Sequence, residues 1–209
     1  MPTTIPDPLF AGLPARRAAL MQAALDLFHE HGCDGTSVPA VARRAGMAVG
    51  SVYLHFKGKD ELIAALMSHL RGFFAQRVVA AVRRGDSVRQ QFDALWAVMS
   101  DNVASYIRAA AFCDVHHHPA YLQAASADAW TPAGRALDGH LRRGRREGVY
   151  RDLPDAGLRA LVLGPLAIHA KLVKPSEQRQ SAATLARMRE AVWASLVRPS
   201  PARRPGASR

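Results

Sequence analysis

The chain has 209 residues, 49% of them hydrophobic, 22% charged, and carries a net charge of +11, which suits one or two globular domains with a real core. No apolar run approaches the roughly 18 to 20 residues of a membrane span, and Met1 to Leu13 holds neither a basic residue nor the long apolar core of a secretory signal. Two cysteines, Cys33 and Cys113, cannot build a disulfide framework, so a cytoplasmic protein with two free thiols is expected.

No proline stands between Pro39 and Pro119, and apolar residues recur at intervals of three and four, so an all-α chain of about nine helices without strands is expected. The first helix begins near Pro14, lines up Leu20, Ala23, Ala24, Leu27 and Phe28 on one face, and stops at Gly32. Thr36 is expected to cap the second helix, which carries Pro39 in its first turn and Val38, Val41, Ala42 and Ala45 along its length. Gly46, free of a Cβ clash in the left-handed region, turns the chain into a third helix from Val49 to Phe56. Val52 and Phe56 face the core there, which leaves Val49, Gly50, Ser51, Tyr53, Leu54 and His55 exposed or marginal.

A fourth helix opens on Asp60 and Glu61, acids suited to a helix N-terminus, and reaches about Arg84, long enough to link two domains. Ser87 to Phe112 reads as one long amphipathic helix with Phe92, Leu95, Trp96, Met99, Val103 and Tyr106. Shorter helices follow at Ala120–Ala129 and Pro132–Glu147, and two strongly apolar ones at about Asp155–Lys171, kinked by Pro165, and Gln180–Leu196. The proline-rich start and the Arg/Pro-rich end read as flexible tails.

The helix-turn-helix resembles the DNA-binding domain of the TetR family of bacterial transcriptional regulators over about residues 15–62. Gly32, Thr36, Ser37, Val41, Ala42, Ala45, Gly46, Gly50, Val52, Tyr53, His55, Phe56, Lys59 and Leu62 all stand at that family's positions. Ala48 departs from the Ser or Thr usual at the start of the recognition helix, a lost cap costing about 1 kcal/mol, and Gly58 replaces the usual Ser, Asn or Pro. The resemblance implies a DNA-binding domain over 14–60 with its helix-turn-helix at 37–56 and an effector-binding and dimerisation domain over 61–197, while composition marks 1–13 as a flexible tail and 198–209 as a flexible basic one. It further implies a ligand-responsive regulator, most often a repressor, that binds a palindromic double-stranded operator as a homodimer and is released by a small molecule.

By position in the motif, Val49, Gly50, Ser51 and Tyr53 are similar to the family's base-facing residues, with Leu54 exposed beside them. Tyr53, His55 and Lys59 are similar to its phosphate anchors, joined by Thr36 and Ser37. The recognition helix lacks Lys, Arg, Asn and Gln, so bidentate base readout is sparse, and Val49 and the Tyr53 ring suit thymine methyls instead. Charge does not locate this surface: residues 1–60 hold six Lys or Arg against five acids, and nearly all of the excess lies beyond them.

In the helical body the resemblance implies a cavity, with Trp96, Met99, Tyr106, Phe112 and His116 as candidate lining. The last two helices are expected to pair with those of a second copy through Leu161, Leu166, Ile168, Leu185, Met188, Val192 and Trp193. His116, His117 and His118 beside Cys113 and Asp114 suggest a redox- or metal-responsive alternative, but adjacent residues rarely converge on one tetrahedral ion, so no metal site is expected. The run Arg142, Arg143, Arg145 and Arg146 reads as a solvated face. An enzyme built on the helical domain would need a nucleophile with its base, paired carboxylates or a metal cluster. Acids in residues 87–150 are few and scattered, so neither catalytic residues nor a cofactor are expected.

Overall fold

The computed structural model describes residues 8–83, 86–113, 120–172 and 182–199, with the backbone alone for 120–130, 170–172 and 182. Among the described residues nine α-helices follow a 3-10 turn at Pro8–Phe10: α1 Ala15–His31, α2 Val38–Arg44, α3 Val49–Tyr53, α4 Lys59–Val82, α5 Val88–Ser105, α6 Ile107–Phe112, α7 Ala120–Arg146, α8 Asp155–Leu172 and α9 Ala182–Leu196. The chain divides into two units, one formed by residues up to Arg77 with Ser105–Ala133, the other by Val78–Ala104 with the residues from Gly134 onward.

The first unit is built on one apolar cluster. Leu20, Ala24, Leu27 and Phe28 of α1 meet Val41 and Ala42 of α2, Val52 and Phe56 around α3, and Leu62, Leu66, Met67 and Leu70 of α4. Such burial supplies the stability that helices this short lack alone. The expected tail over 1–13 is corrected for its described part: Leu9 and Phe10 are buried in this cluster, and His69 of α4 donates to the Leu9 carbonyl at 2.8 Å while its ring stacks on Phe10 at 5.4 Å. An apolar pair next to a proline outweighed the composition argument.

Two helix boundaries also differ from the periodic pattern. The helix expected over Ser87–Phe112 breaks at Tyr106, whose backbone (φ −129°, ψ 40°) leaves the helical region. The break delivers the Tyr106 ring edge-on to Phe73 at 5.1 Å and Phe74 at 6.4 Å, with the Arg77 guanidinium over it. Conversely, the two helices expected around Pro132 are one, α7. An interior proline costs about 3 kcal/mol; the apolar stripe of Ala133, Leu137 and Leu141, all buried, offsets it. Helix α8 likewise runs through Pro165, and the expected start of the last helix at Gln180 lies outside the described residues.

The second unit packs Val88, Phe92, Leu95 and Trp96 of α5, Leu137 and Leu141 of α7, Leu158, Val162 and Leu166 of α8, and Val192 and Leu196 of α9. One antiparallel bridge, Tyr150 to Val197, closes its end, with the Arg151 amide donating to the Leu196 carbonyl at 2.8 Å and the Arg198 amide to that of Val149 at 3.0 Å. Tyr150 is wholly buried, and its ring fills the place where a Cβ on Gly144 would stand, 2.2 Å from the nearest ring carbon, so only glycine fits.

The Tyr150 hydroxyl donates to His140 Nε2 at 2.6 Å, which leaves Nδ1–H of His140 to donate to Gln91 Oε1 at 3.1 Å. Burial, helped by Arg143, lowers the His140 pKa from 6.5 to about 4, so the ring is neutral in the fold. Between those values the unfolded chain binds the additional proton, so stability falls as pH drops from 6.5 towards about 4, by a total of about 3 kcal/mol. Denaturant midpoints measured across this range should show that slope, and His140→Gln should flatten it.

Candidate nucleic-acid interface

Helix α2 begins at Ser37, whose extended backbone (φ −105°, ψ 153°) brings its Oγ to accept from the Ala40 amide at 3.3 Å, with Pro39 in the first turn. The cap is therefore Ser37 and not Thr36. Thr36 is 3% exposed and its hydroxyl points inward, donating to the carbonyl of Gly32 at 2.8 Å and, in a bifurcated arrangement, to that of Leu27 at 3.2 Å. One residue of difference along an extended segment reverses the side chain, which is why the position expected on the surface closes the end of α1 instead.

The turn between the helices has a specific geometry. Gly46 takes φ 68°, its amide donates to the Arg43 carbonyl at 3.1 Å, and the Met47 amide reaches back to that of Ala42 at 2.9 Å, the paired bonds of a Schellman motif. Helix α3 then spans only Val49–Tyr53, shorter than the expected run to Phe56. Past it, the His55 and Phe56 amides both donate to the Val52 carbonyl at 2.9 Å, and Val52 and Phe56 are buried.

Those two anchors turn the rest of the helix outward. Val49 is 38% exposed, Tyr53 55% and Leu54 79%, Gly50 is exposed, and Ser51 and His55 are half-buried. Lys59 begins α4, and its Nζ lies 3.5 Å from the Asp34 carbonyl oxygen, so it borders the same edge. Ser37 is exposed as well. Of the nine expected contacts, Thr36 alone is buried.

Sequence reasoning missed two arginines that hold this surface. Arg44 lies exposed beside Arg43 and pairs there with Glu30 of α1 through two bonds of 3.0 and 2.7 Å. Arg17 of α1 donates to the His55 carbonyl at 3.2 Å, and its guanidinium lies 4.5 Å from the centroid of the Phe56 ring. A signal existed: Arg17 lies in a first helical turn that holds no acid, where a cation opposes the helix dipole.

The other candidates fall in different places. Trp96 is buried and the half-buried Met99 follows it on α5, both in the second unit. Tyr106 joins Phe73 and Phe74 in the first, where Phe112 stacks on Phe28 at 5.7 Å. His116 lies outside the described residues, as do Asp114, His117 and His118. Of the expected interface residues, Leu166 and Val192 are buried within the chain, and Trp193 packs against Phe92 at 5.1 Å beneath the Arg89 guanidinium. Ile168 is 55% exposed, and Leu161, Leu185 and Met188 are half-buried.

Nor is the basic run wholly solvated: Arg143 pairs with Glu147 at 2.6 Å and Arg145 with Asp155 at 2.8 Å, while Arg142 and Arg146 are exposed. Burial raises the Cys113 thiol to about 12, which leaves little thiolate at neutral pH. Among the described residues no group of three or more His, Cys, Asp or Glu side chains is placed to hold a metal ion.

A family model described as bacterial regulatory proteins, tetR family, matches residues 20–66, and one described as a tetracyclin repressor-like C-terminal domain matches residues 68–198. An HTH-type transcriptional repressor of Mycobacterium tuberculosis is 37% identical over 76 residues, which is 36% of this chain and 40% of that protein. The match thus spans well under half of that relative's length. The HTH-type transcriptional regulator BetI of Burkholderia thailandensis is 27% identical over 179 residues, covering 85% of this chain and 80% of that one.

Two solved structures share the fold. The ketosteroid transcriptional regulator KstR2 of Mycobacterium tuberculosis has a TM-score of 0.75 at 17% identity, covering 91% of this chain and 100% of that one. FadR of Bacillus subtilis, solved in complex with stearoyl-CoA, has a TM-score of 0.73 at 19% identity, covering 85% and 97%.

Because its hydroxyl is committed inside the fold, Thr36→Val should act on stability. Its two carbonyl partners lose a donor without a change of shape, at a cost of about 1–2 kcal/mol. Ser37→Ala should cost about 1 kcal/mol through the lost cap. Urea unfolding of both variants checks these values, and a neutral Thr36→Val would mean that the inward bonds contribute nothing.

Proposed function

The chain belongs to the TetR family of bacterial regulatory proteins, and from that premise we propose that it is a ligand-responsive transcriptional repressor acting as a homodimer on a palindromic operator. The observation that carries the reading is the outward face of α3 and its C-cap: Val49, Tyr53 and Leu54 are large, apolar and exposed, while Val52 of the helix and Phe56 just past it are fixed in the core. Monomeric proteins seldom leave such a cluster uncovered, and the major groove, with its thymine methyls, is an occupant of matching chemistry. Gly50 and Ser51 on that helix let the backbone approach closely. Tyr53, His55, Ser37 and Lys59 supply phosphate contacts around it, and the backbone of Thr36 stands beside them.

A two-fold dimer through α8 and α9 would set two such helices about 34–36 Å apart, in successive major grooves. Ile168 with Leu161, Leu185 and Met188 is the apolar surface that these helices retain for a partner. Residues 14–60 are read as the DNA-binding domain and 61–197 as the effector and dimerisation domain. The effector reading is supported by α5, where Trp96 Nε1 and Ser100 Oγ are buried without a hydrogen-bond partner, one helical turn apart. An effector bearing an oxygen acceptor would satisfy them, with Met99 beside them on the same helix as a further candidate. FadR, of the same fold, holds stearoyl-CoA in its solved complex.

The relatives described above are named as regulators, which favours this function over an enzyme of the same fold, and no cofactor is required. The high pKa of Cys113 favours a small molecule over a redox stimulus. Among the described residues no helix is long and apolar enough to cross a membrane, and a cytoplasmic location accords with work on DNA.

Lys59→Ala should weaken binding to all duplexes about equally and reduce the slope of log K against log salt by about 0.9. Titrations over a salt series with an enriched and a scrambled duplex measure both quantities, and an unchanged slope would remove Lys59 from the interface. Replacing contacted thymines by uracil deletes only the methyl, so it should weaken operator binding severalfold if Val49 and Tyr53 read those methyls. Indifference at every thymine of both half-sites would overturn that assignment.

A further inference from the structure

The recognition helix has a bare start and a fastened end. Ala48 stands at its N-cap with the extended backbone of a capping residue (φ −67°, ψ 146°) but offers no acceptor to the free amides of the first turn. Just past the other end, the His55 carbonyl receives the Arg17 guanidinium at 3.2 Å, and the same group covers the buried Phe56 ring at 4.5 Å. This is the negative end of the α3 dipole, where a cation is favoured. Within α1 the same cation lies in the first turn, at the positive end of a dipole and without an acid to offset it. Local preference opposes Arg17 there, so its tertiary contact is what the position supplies.

Five residues make too few internal hydrogen bonds to hold a helix in one orientation. Val52 and Phe56 fix its depth by burial, which is non-directional. The bond from Arg17 is directional, and it meets the segment from outside the helix-turn-helix. We propose that Arg17 is a positioning residue for operator selectivity, fixing the angle at which Val49–Leu54 enter the groove without itself touching DNA. The proposal rests on the DNA-binding reading above.

The test uses Arg17→Met, which keeps an apolar stem over Phe56 and removes the donor. Two probes are needed: a duplex enriched from a random pool by the native protein, and a scrambled duplex of the same composition. Affinity for the enriched duplex should fall about tenfold, the scale of one lost charge-assisted hydrogen bond. Affinity for the scrambled duplex and the salt slope should both stay unchanged. Ala48→Ser in the Arg17→Met background should recover part of the selectivity, because a serine at that backbone geometry caps the first turn. A general gain in stability from the cap would raise the affinity for both duplexes alike, and urea unfolding of the variants measures it.

Equal losses on both duplexes with a slope reduced by about 0.9 would make Arg17 a phosphate contact and overturn the proposal. So would unchanged selectivity. Amide exchange of His55 and Phe56 in the DNA-free protein should accelerate in Arg17→Met, and unchanged exchange would refute the fastening directly. If the native protein enriches no sequence, the DNA-binding reading fails, while the exchange rates still decide whether Arg17 holds α3.

Discussion

A helix of five residues is not stable by itself in water, because nucleation costs more than so few hydrogen bonds return. Val49–Tyr53 keeps its shape only because Val52 and Phe56 are held in an apolar cluster built from α1, α2, α4 and α6 with the 3-10 turn. Much of the first unit serves that constraint. The Gly46 turn aims the segment, Thr36 closes the end of α1 beneath it, the Arg44–Glu30 pair ties α2 to α1, and Arg17 meets its far end. With every inward position committed, the outward ones are left to a partner.

Charge in this protein is largely spent on geometry. Arg89 binds Asp93 at 2.8 Å and Glu190 at 2.5 Å while covering Trp193, and Arg108 reaches Asp26 at 2.9 Å. With the pairs of Arg44, Arg143 and Arg145, these contacts take up many of the acids, and the net charge is what the remaining basic residues carry. Exposed pairs of this kind add little stability each, and their main effect is to fix how neighbouring helices meet. Each pair removes one base with one acid, so the long-range attraction for DNA is still that of the net +11.

The core of the second unit is specified by polar chemistry as well as by shape. The half-buried Gln91 and the buried His140 and Tyr150 form a chain of hydrogen bonds that only one tautomer of His140 satisfies, and Gly144 leaves the space for the tyrosine ring. A shift of α7 against α5 by one residue would part His140 from Gln91 and leave the buried imidazole Nδ1–H without its acceptor. That restriction gives the packing a single register, in a unit whose aliphatic residues alone would tolerate several.

The sequence by itself determined the helical class, the helix-turn-helix and its family resemblance, because these rest on local rules: the period of apolar residues, proline in a first turn, glycine at a left-handed cap. It also determined that Val52 and Phe56 face inward, although the helical spacing behind that expectation stops at Tyr53 and the chain past it brings Phe56 into the core. Tertiary structure decided what local rules leave degenerate. Thr36, expected as the cap, and Ser37 next to it both carry a hydroxyl, and the carbonyls of Leu27 and Gly32 took that of Thr36 inward and left the cap to Ser37. Pro132 breaks a helix in isolation and sits inside one here, because the buried stripe beside it outweighs a lost hydrogen bond, whereas Tyr106 interrupts a good periodic run to reach the aromatic rings of α4. Arg17 and His55 are 38 residues apart, so no local pattern could pair them.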